Sequence, residues 1–374
     1  MAFLLPAGIA LLAGLDAALL LLGVPAPLTL DRLPEVHGAL LVLGFVGTVI
    51  ALERAVALAA PAGFLAPAAF GLGALALLSP APMAVGQGLF VLGALAQVGV
   101  YRALWRRQES EALALQVLGA VLALGSALLW WAGVPVATVL PWFAGFLVLT
   151  IAGERLELAR VGSLTAGTER GVLALGTTVL AAVAAATLWS EVGHPLLGLA
   201  LLALVTRLLV IDVARRLVRS TGLPRYMAWC LLAGYAWLLV AGGIWLLVGF
   251  VPDGPGYDAV VHAVFLGFTL SMIMAHAPVI LPAVLGTPLP YSPAFGVPVV
   301  LLHVSLLLRV AGGDLWGATW ALQVGGALNV VAVLTFVVLA ARAGIVGARR
   351  AAGRRRARAG AVTPLPTPDP EGAR

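Results

Sequence analysis

The chain has 374 residues, of which 62% are hydrophobic and 10% charged, with a formal net charge of +6. Soluble domains carry about 25% charged residues, so the composition excludes an ordinary soluble enzyme and describes a polytopic membrane protein. All basic charge is arginine and Cys230 is the single cysteine, which excludes a disulfide framework and any CxxCH or CxxC motif. The arginines sit in short loops and in a basic tail, a pattern of membrane orientation and anionic-lipid contact, not of nucleic-acid binding.

Apolar runs of about 20 residues place spans at 3–24, 35–57, 62–80, 84–104, 112–133, 137–156, 170–190, 195–217, 226–250, 257–281, 293–311 and 316–342. The expected fold is therefore an all-α polytopic membrane protein with about twelve transmembrane helices over residues 1–345. Residues 346–374 turn basic and then Pro-rich and read as a disordered cytoplasmic tail. The start, MAFLLPAGIALLAG, has no basic n-region, so no cleaved signal peptide is expected.

Arginines recur in alternate loops: Arg54; Arg102, Arg106 and Arg107; Arg155, Arg160 and Arg170; Arg215, Arg216, Arg219 and Arg225; then the tail. The positive-inside rule puts these loops and both termini in the cytoplasm of a bacterial inner-membrane protein. The loop GTPLPYSP falls on the same side without an arginine. Trp130, Trp131, Trp142, Trp189 and Trp316 then form an outer aromatic belt.

The second span reads GFVGTVIALER from Gly44, and the sixth reads GFLVLTIAGER from Gly145. The tenth reads GFTLSMIMAH from Gly267, with His276 where the other two have Glu53 and Glu154. Similarity at spans two, six and ten implies three pseudo-repeats of four helices. Arg207, inside the eighth span, needs a counter-charge and is expected to form a structural ion-pair layer with Glu53 and Glu154, the alternative for this group being a proton path.

Of five histidines, His37, His262, His276 and His303 lie in or at the mouth of spans, where imidazole needs a partner or a ligand. His262 and His276 are fourteen residues apart, close to four turns, so they are expected on one stripe with Thr269 and Ile273. The face of His37 continues through Gly44 and Thr48, small residues that leave room for a flat group or for close helix packing. Neutral imidazole suits iron, copper or zinc. Met272 and Met274 read as filler, and His194, in SEVGHP, as solvated.

Twelve helices with threefold pseudo-symmetry resemble the catalytic subunit of haem-copper oxidases, in which the second and tenth helices each supply a haem histidine. The sixth and seventh spans here carry no histidine, so the copper site of that plan is not reproduced. The chain is more similar to the NnrS family of haem- and copper-containing membrane proteins. The likeness is carried by HGALLVLGFVGTVIALERA, where that family usually has H-x-H and this chain has His37 alone, by HAVFLGFTLSMIMAHAPVILPAVLG, and by LLHVSLLLRVAGG. It implies non-covalent haem b on His37 and His262, with Arg32 and Arg309 at propionate level. It also implies copper or a second haem at His276 and His303, and a role in nitric-oxide stress or denitrification without an established turnover reaction. The expected partners are lipid, NO or O2 as a small ligand, and a redox partner. The alternatives are an oxidoreductase acting on NO or O2, which needs an open metal position, and a transporter relaying protons through histidines, which the same-direction repeat fits poorly.

Overall fold

The computed structural model describes residues 3–160 and 164–360, the side chains of 283–285 and 353–360 excepted. Twelve helices are long and apolar enough to cross a membrane: α1 Leu4–Leu21, α2 Leu33–Leu58, α3 Pro61–Leu78, α4 Met83–Trp105, α5 Glu111–Trp131, α6 Val136–Ala159, α7 Ala166–Leu188, α8 Ser190–Ile211, α9 Gly222–Val248, α10 Gly254–Pro282, α11 Pro293–Leu315 and α12 Thr319–Ala352. The protein is an all-helical, multi-pass membrane protein, with no strand among the described residues. Helices satisfy every backbone polar group within the segment, which hydrocarbon demands.

Sequence neighbours pack as antiparallel hairpins, most extensively α5 on α6, α3 on α4, α7 on α8 and α8 on α9. Helix α12 returns to α1, where Gln323 donates from Nε2 to the Leu22 carbonyl at 3.2 Å. Three helices form the centre. The apolar windows of α2, α6 and α10 are 67%, 78% and 67% buried, whereas no other span exceeds 50%. These are the three spans that share the GF-x4-I pattern, so the similarity lies on the helices that need the same inward-facing surface.

Hydrocarbon gives no hydrophobic drive for helix association, so close approach through small residues carries much of the packing. Gly198 on α8 lies over Gly242 on α9, and a Cβ at Gly198 would stand 2.4 Å from the Leu246 nitrogen and 2.5 Å from the Gly242 oxygen. Those obstacles are backbone, so α8 and α9 would have to separate. Gly198→Ala is expected to destabilise the fold by about 1–3 kcal/mol, read as a lower melting temperature of the detergent-solubilised protein.

Several expectations shift. The eighth helix starts at Ser190, not at 195, so Pro195 lies inside it and Trp189 alone joins it to α7. A proline past the first turn lacks a donor yet is tolerated where neighbouring helices support the backbone. The helix that begins at Thr319 runs past residue 345 to Gly360, because an Ala- and Arg-rich sequence has high helix propensity; residues 361–374 of the expected tail lie outside the described residues. Trp131, Trp189 and Trp316 are exposed at the ends opposite the arginine-bearing loops, but Trp130 is buried against Phe90 with ring centroids 6.2 Å apart.

Candidate functional site: paired histidines on separated helices

Helices α2 and α10 share an irregularity. Leu40–Gly47 and Ala263–Leu270 are π-helical, and each segment begins four residues before the glycine of its GF pair, Gly44 and Gly267. A third π segment, Leu308–Leu315, ends α11. Such segments are uncommon and occur disproportionately at functional sites. They also rotate the downstream part of the helix by up to one residue, about 100°, which breaks the stripes read from α-helical spacing. His262 therefore does not share a face with His276. His37 and Gly44 both meet α1, at Gly14 and Ala10; Gly44 also admits Ala74 of α3, and Gly267 admits Trp237 of α9. Both glycines serve helix packing.

His37 sits just under one turn before the π segment of α2, and His262 immediately before that of α10. Both are half-buried. His37 Nδ1 lies 2.8 Å from the Gly14 carbonyl of α1, and His262 Nδ1 lies 2.8 Å from the Asp258 carbonyl and 3.2 Å from Asp258 Oδ1. A carbonyl oxygen only accepts, so each Nδ1 carries the proton and each Nε2 offers its lone pair. Neither Nε2 has a hydrogen-bond partner among the described residues, and neither is sealed in the core. The His37 ring is within electrostatic reach of both His262 and Arg309. Helices α2 and α10 pack on each other at the ends nearest the arginine-bearing loops, whereas their histidine-bearing halves are not closely packed together. Two anchored imidazoles therefore stand on helices whose histidine-bearing halves are not in close contact.

The chain belongs to the DUF8744 family. The family model, described as a domain of unknown function, matches residues 1–345. No curated protein and no solved structure matches the chain.

The other candidate residues of this DUF8744 protein have protein partners. Arg309, buried on α11, makes a two-point contact with Asp258: Nε to Oδ2 at 2.8 Å and Nη2 to Oδ1 at 2.7 Å. Arg32 donates from Nη1 to the Ser79 and Ala81 carbonyls at 2.8 and 3.0 Å, capping the end of α3. Arg32 thus serves the fold, and Arg309 orients the carboxylate that touches His262.

His276 and His303 each have both ring nitrogens engaged. His276 Nδ1 donates to the Met272 carbonyl at 2.7 Å, and its Nε2 accepts from Arg155 Nη1 at 3.2 Å. Trp237 Nε1 donates to His303 Nδ1 at 3.0 Å, so His303 Nε2 carries the proton and faces Ser271 Oγ at 3.2 Å. A metal on either would have to displace a partner, and the described residues hold no group of three or more His, Cys, Asp or Glu arranged for a metal ion.

His194 departs most from expectation. It lies in the first turns of α8, 1% exposed, with Nδ1 2.9 Å from the Ser190 carbonyl and its ring against Phe250. Starting α8 five residues earlier is what buries it. The expected layer of Glu53, Glu154 and Arg207 is also rearranged. Arg207 donates to Thr168 Oγ1 at 3.2 Å, Glu53 pairs with Arg54, and the buried ion pair is Arg155 with Asp212. Sequence reading missed Asp258 and Asp212. Asp258 was findable, since it precedes His262 by four residues on one helix; Asp212 ends α8 and meets Arg155 only through the fold.

Proposed function

We propose that this protein is a haem-binding integral membrane protein in which His37 and His262 hold the iron through Nε2. The observation that carries the reading is the matched state of the two imidazoles: Nδ1 anchored, Nε2 free, on the separated halves of α2 and α10. Metal-bound histidines commonly donate the second ring N–H to a carbonyl or carboxylate, which fixes the tautomer and raises ligand basicity. Gly14 does this for His37 and Asp258 for His262, and Arg309 holds Asp258 in place. With one cysteine and no CxxCH, the haem is bound non-covalently, as haem b.

A haem held by both imidazoles would supply one-electron chemistry. The function is therefore electron transfer or redox sensing within the bilayer, and a link to nitric-oxide physiology rests on the likeness to NnrS proteins. We place the arginine-bearing loops and both termini in the cytoplasm of a bacterial inner membrane. The test is the absorption spectrum of protein purified in detergent after expression with ample haem. A Soret band with sharp reduced α and β bands, and one haem per chain by pyridine haemochrome, is the expected result. Protein that stays colourless under haem supply overturns the proposal.

A further inference from the structure

The last helix is too long for the bilayer. It begins at Thr319 and runs unbroken for 42 residues to Gly360, about 63 Å at 1.5 Å per residue, of which hydrocarbon takes up about 30 Å. No charge stands between Thr319 and Ala341, a stretch of the length that crosses the bilayer core, about 20 residues. Arg342 is the first charge, followed by Arg349, Arg350, Arg354, Arg355, Arg356 and Arg358, and residues 319–360 contain no acid. The side chains of Arg342, Arg349 and Arg350 are exposed, and none of the three pairs with an acid among the described residues. Like charges four apart, such as Arg350 and Arg354, oppose helix formation. This extension therefore needs anions from outside the helix.

Contact with the fold holds its base in place. Gly347 is buried against the loop between α10 and α11; a Cβ there would stand 1.8 Å from the Pro288 oxygen and 3.3 Å from Pro290 Cδ. Only glycine lets the helix lie on that carbonyl. Gly344 faces Leu289, which is 7% exposed. Closer to the membrane centre, Phe336 meets Phe295 edge to face with ring centroids 5.9 Å apart, and Phe295 stacks on Tyr291. The loop, residues 286–292, reads GTPLPYS and carries no charge. Arg349 and Arg350 stand within one turn of its contact at Gly347, so the docked helix brings to this loop the positive charge that its own sequence lacks.

Depth selects the anion. Arg342 stands where the apolar run ends, and Arg349 and Arg350 follow about 10–12 Å further along the axis. Headgroups extend about 5–8 Å beyond the hydrocarbon, and the Debye length adds about 8 Å, so all three arginines reach the phosphates of the surrounding leaflet. A guanidinium fork fits a phosphate at two points. With no acid on the extension or the loop, nothing offsets the charge of a net-negative headgroup. We propose that the α12 extension and the 286–292 loop form a binding site for anionic phospholipid, in which Arg342, Arg349 and Arg350 hold headgroup phosphates over the uncharged loop. The site is independent of whether the protein binds haem.

Photoreactive phosphatidylglycerol and phosphatidylcholine, in otherwise identical nanodiscs holding the full chain, test this, with cross-linked peptides mapped by mass spectrometry. In the parent protein phosphatidylglycerol is expected to label residues 286–292 and 341–352 at least about tenfold more than phosphatidylcholine, since each arginine near an anionic surface favours binding severalfold. The triple variant Arg342→Gln, Arg349→Gln, Arg350→Gln is expected to lose most of that excess. Gly347→Ala keeps every charge but lifts the helix from the Pro288 carbonyl, and is expected to lose the excess at 286–292. Melting temperature and gel-filtration profile check the folding of both variants. Equal labelling by the two lipids in the parent, or an unchanged excess in the triple variant, overturns the proposal. Survival of the loop excess in Gly347→Ala overturns it in favour of a free charged tail. Loss of labelling on adding inorganic polyphosphate at constant ionic strength overturns it in favour of a soluble polyanion.

Discussion

If the proposed haem is bound as argued, its low-spin spectrum is expected to be lost in His37→Ala and in His262→Ala, and kept in His276→Ala and His303→Ala. A six-coordinate iron needs both imidazoles, so removing one yields either apoprotein or a five-coordinate, high-spin spectrum. Asp258→Asn separates ligation from support. It keeps the His262 contact to the Asp258 carbonyl at 2.8 Å but removes the negative charge that Nδ1 meets at 3.2 Å and the two-point partner of Arg309. Loss of such an outer partner typically lowers affinity about 10–100-fold, so Asp258→Asn is expected to retain haem at high occupancy only when haem is in excess. It is also expected to shift the midpoint potential, a readout that a packing defect alone would not move. Exogenous imidazole should restore a low-spin spectrum to His37→Ala by occupying the ligand position. Unchanged spectra in both His37→Ala and His262→Ala would remove these residues from the site.

Much of this arrangement was legible in the chain. Twelve apolar runs gave twelve spans, because hydrocarbon thickness fixes helix length and leaves few alternatives. The GF-x4-I pattern marked α2, α6 and α10, which are the three most enclosed spans. What failed to read out depended on backbone irregularity and on contacts distant in sequence. The His262–His276 stripe assumed uniform 3.6-residue turns, and the π segment at Ala263–Leu270 breaks that assumption without any proline to announce it. His194 lies before the apolar run at 195–217, but α8 begins at Ser190 and takes in both His194 and Pro195. Arg207 sits at a depth that suggested pairing with Glu53 and Glu154, but its side chain reaches Thr168 on α7. Depth along a helix is written in the sequence; direction around it depends on which helices pack next to it.

Arg155 joins two of the central helices, α6 and α10, to the α8–α9 connection, and its removal is expected to have the largest effect on the fold. Arg155 on α6 is 4% exposed and holds Asp212 at two points, Nε to Oδ2 at 2.8 Å and Nη2 to Oδ1 at 2.7 Å. Tyr235 on α9 donates to the same Oδ2 at 2.8 Å, and the Ala214 amide donates to Oδ1 at 2.8 Å. The remaining guanidinium nitrogen, Nη1, reaches His276 on α10. One side chain therefore ties α6 to the α8–α9 connection and to α10. In Arg155→Met the carboxylate of Asp212 keeps two neutral donors but loses its counter-charge, and His276 Nε2 loses its donor. Breaking one side of a buried pair destabilises by about 3–5 kcal/mol, chiefly because the other charge stays buried. The expected outcome is a much lower melting temperature and a large loss of monodisperse protein in detergent. The double variant Arg155→Met with Asp212→Asn removes the stranded charge and should recover a substantial part of that loss, as replacing both partners of a buried pair does. If the double variant is no more stable than Arg155→Met, the contribution of Arg155 is its packing volume, and the ion pair is not what clamps the centre.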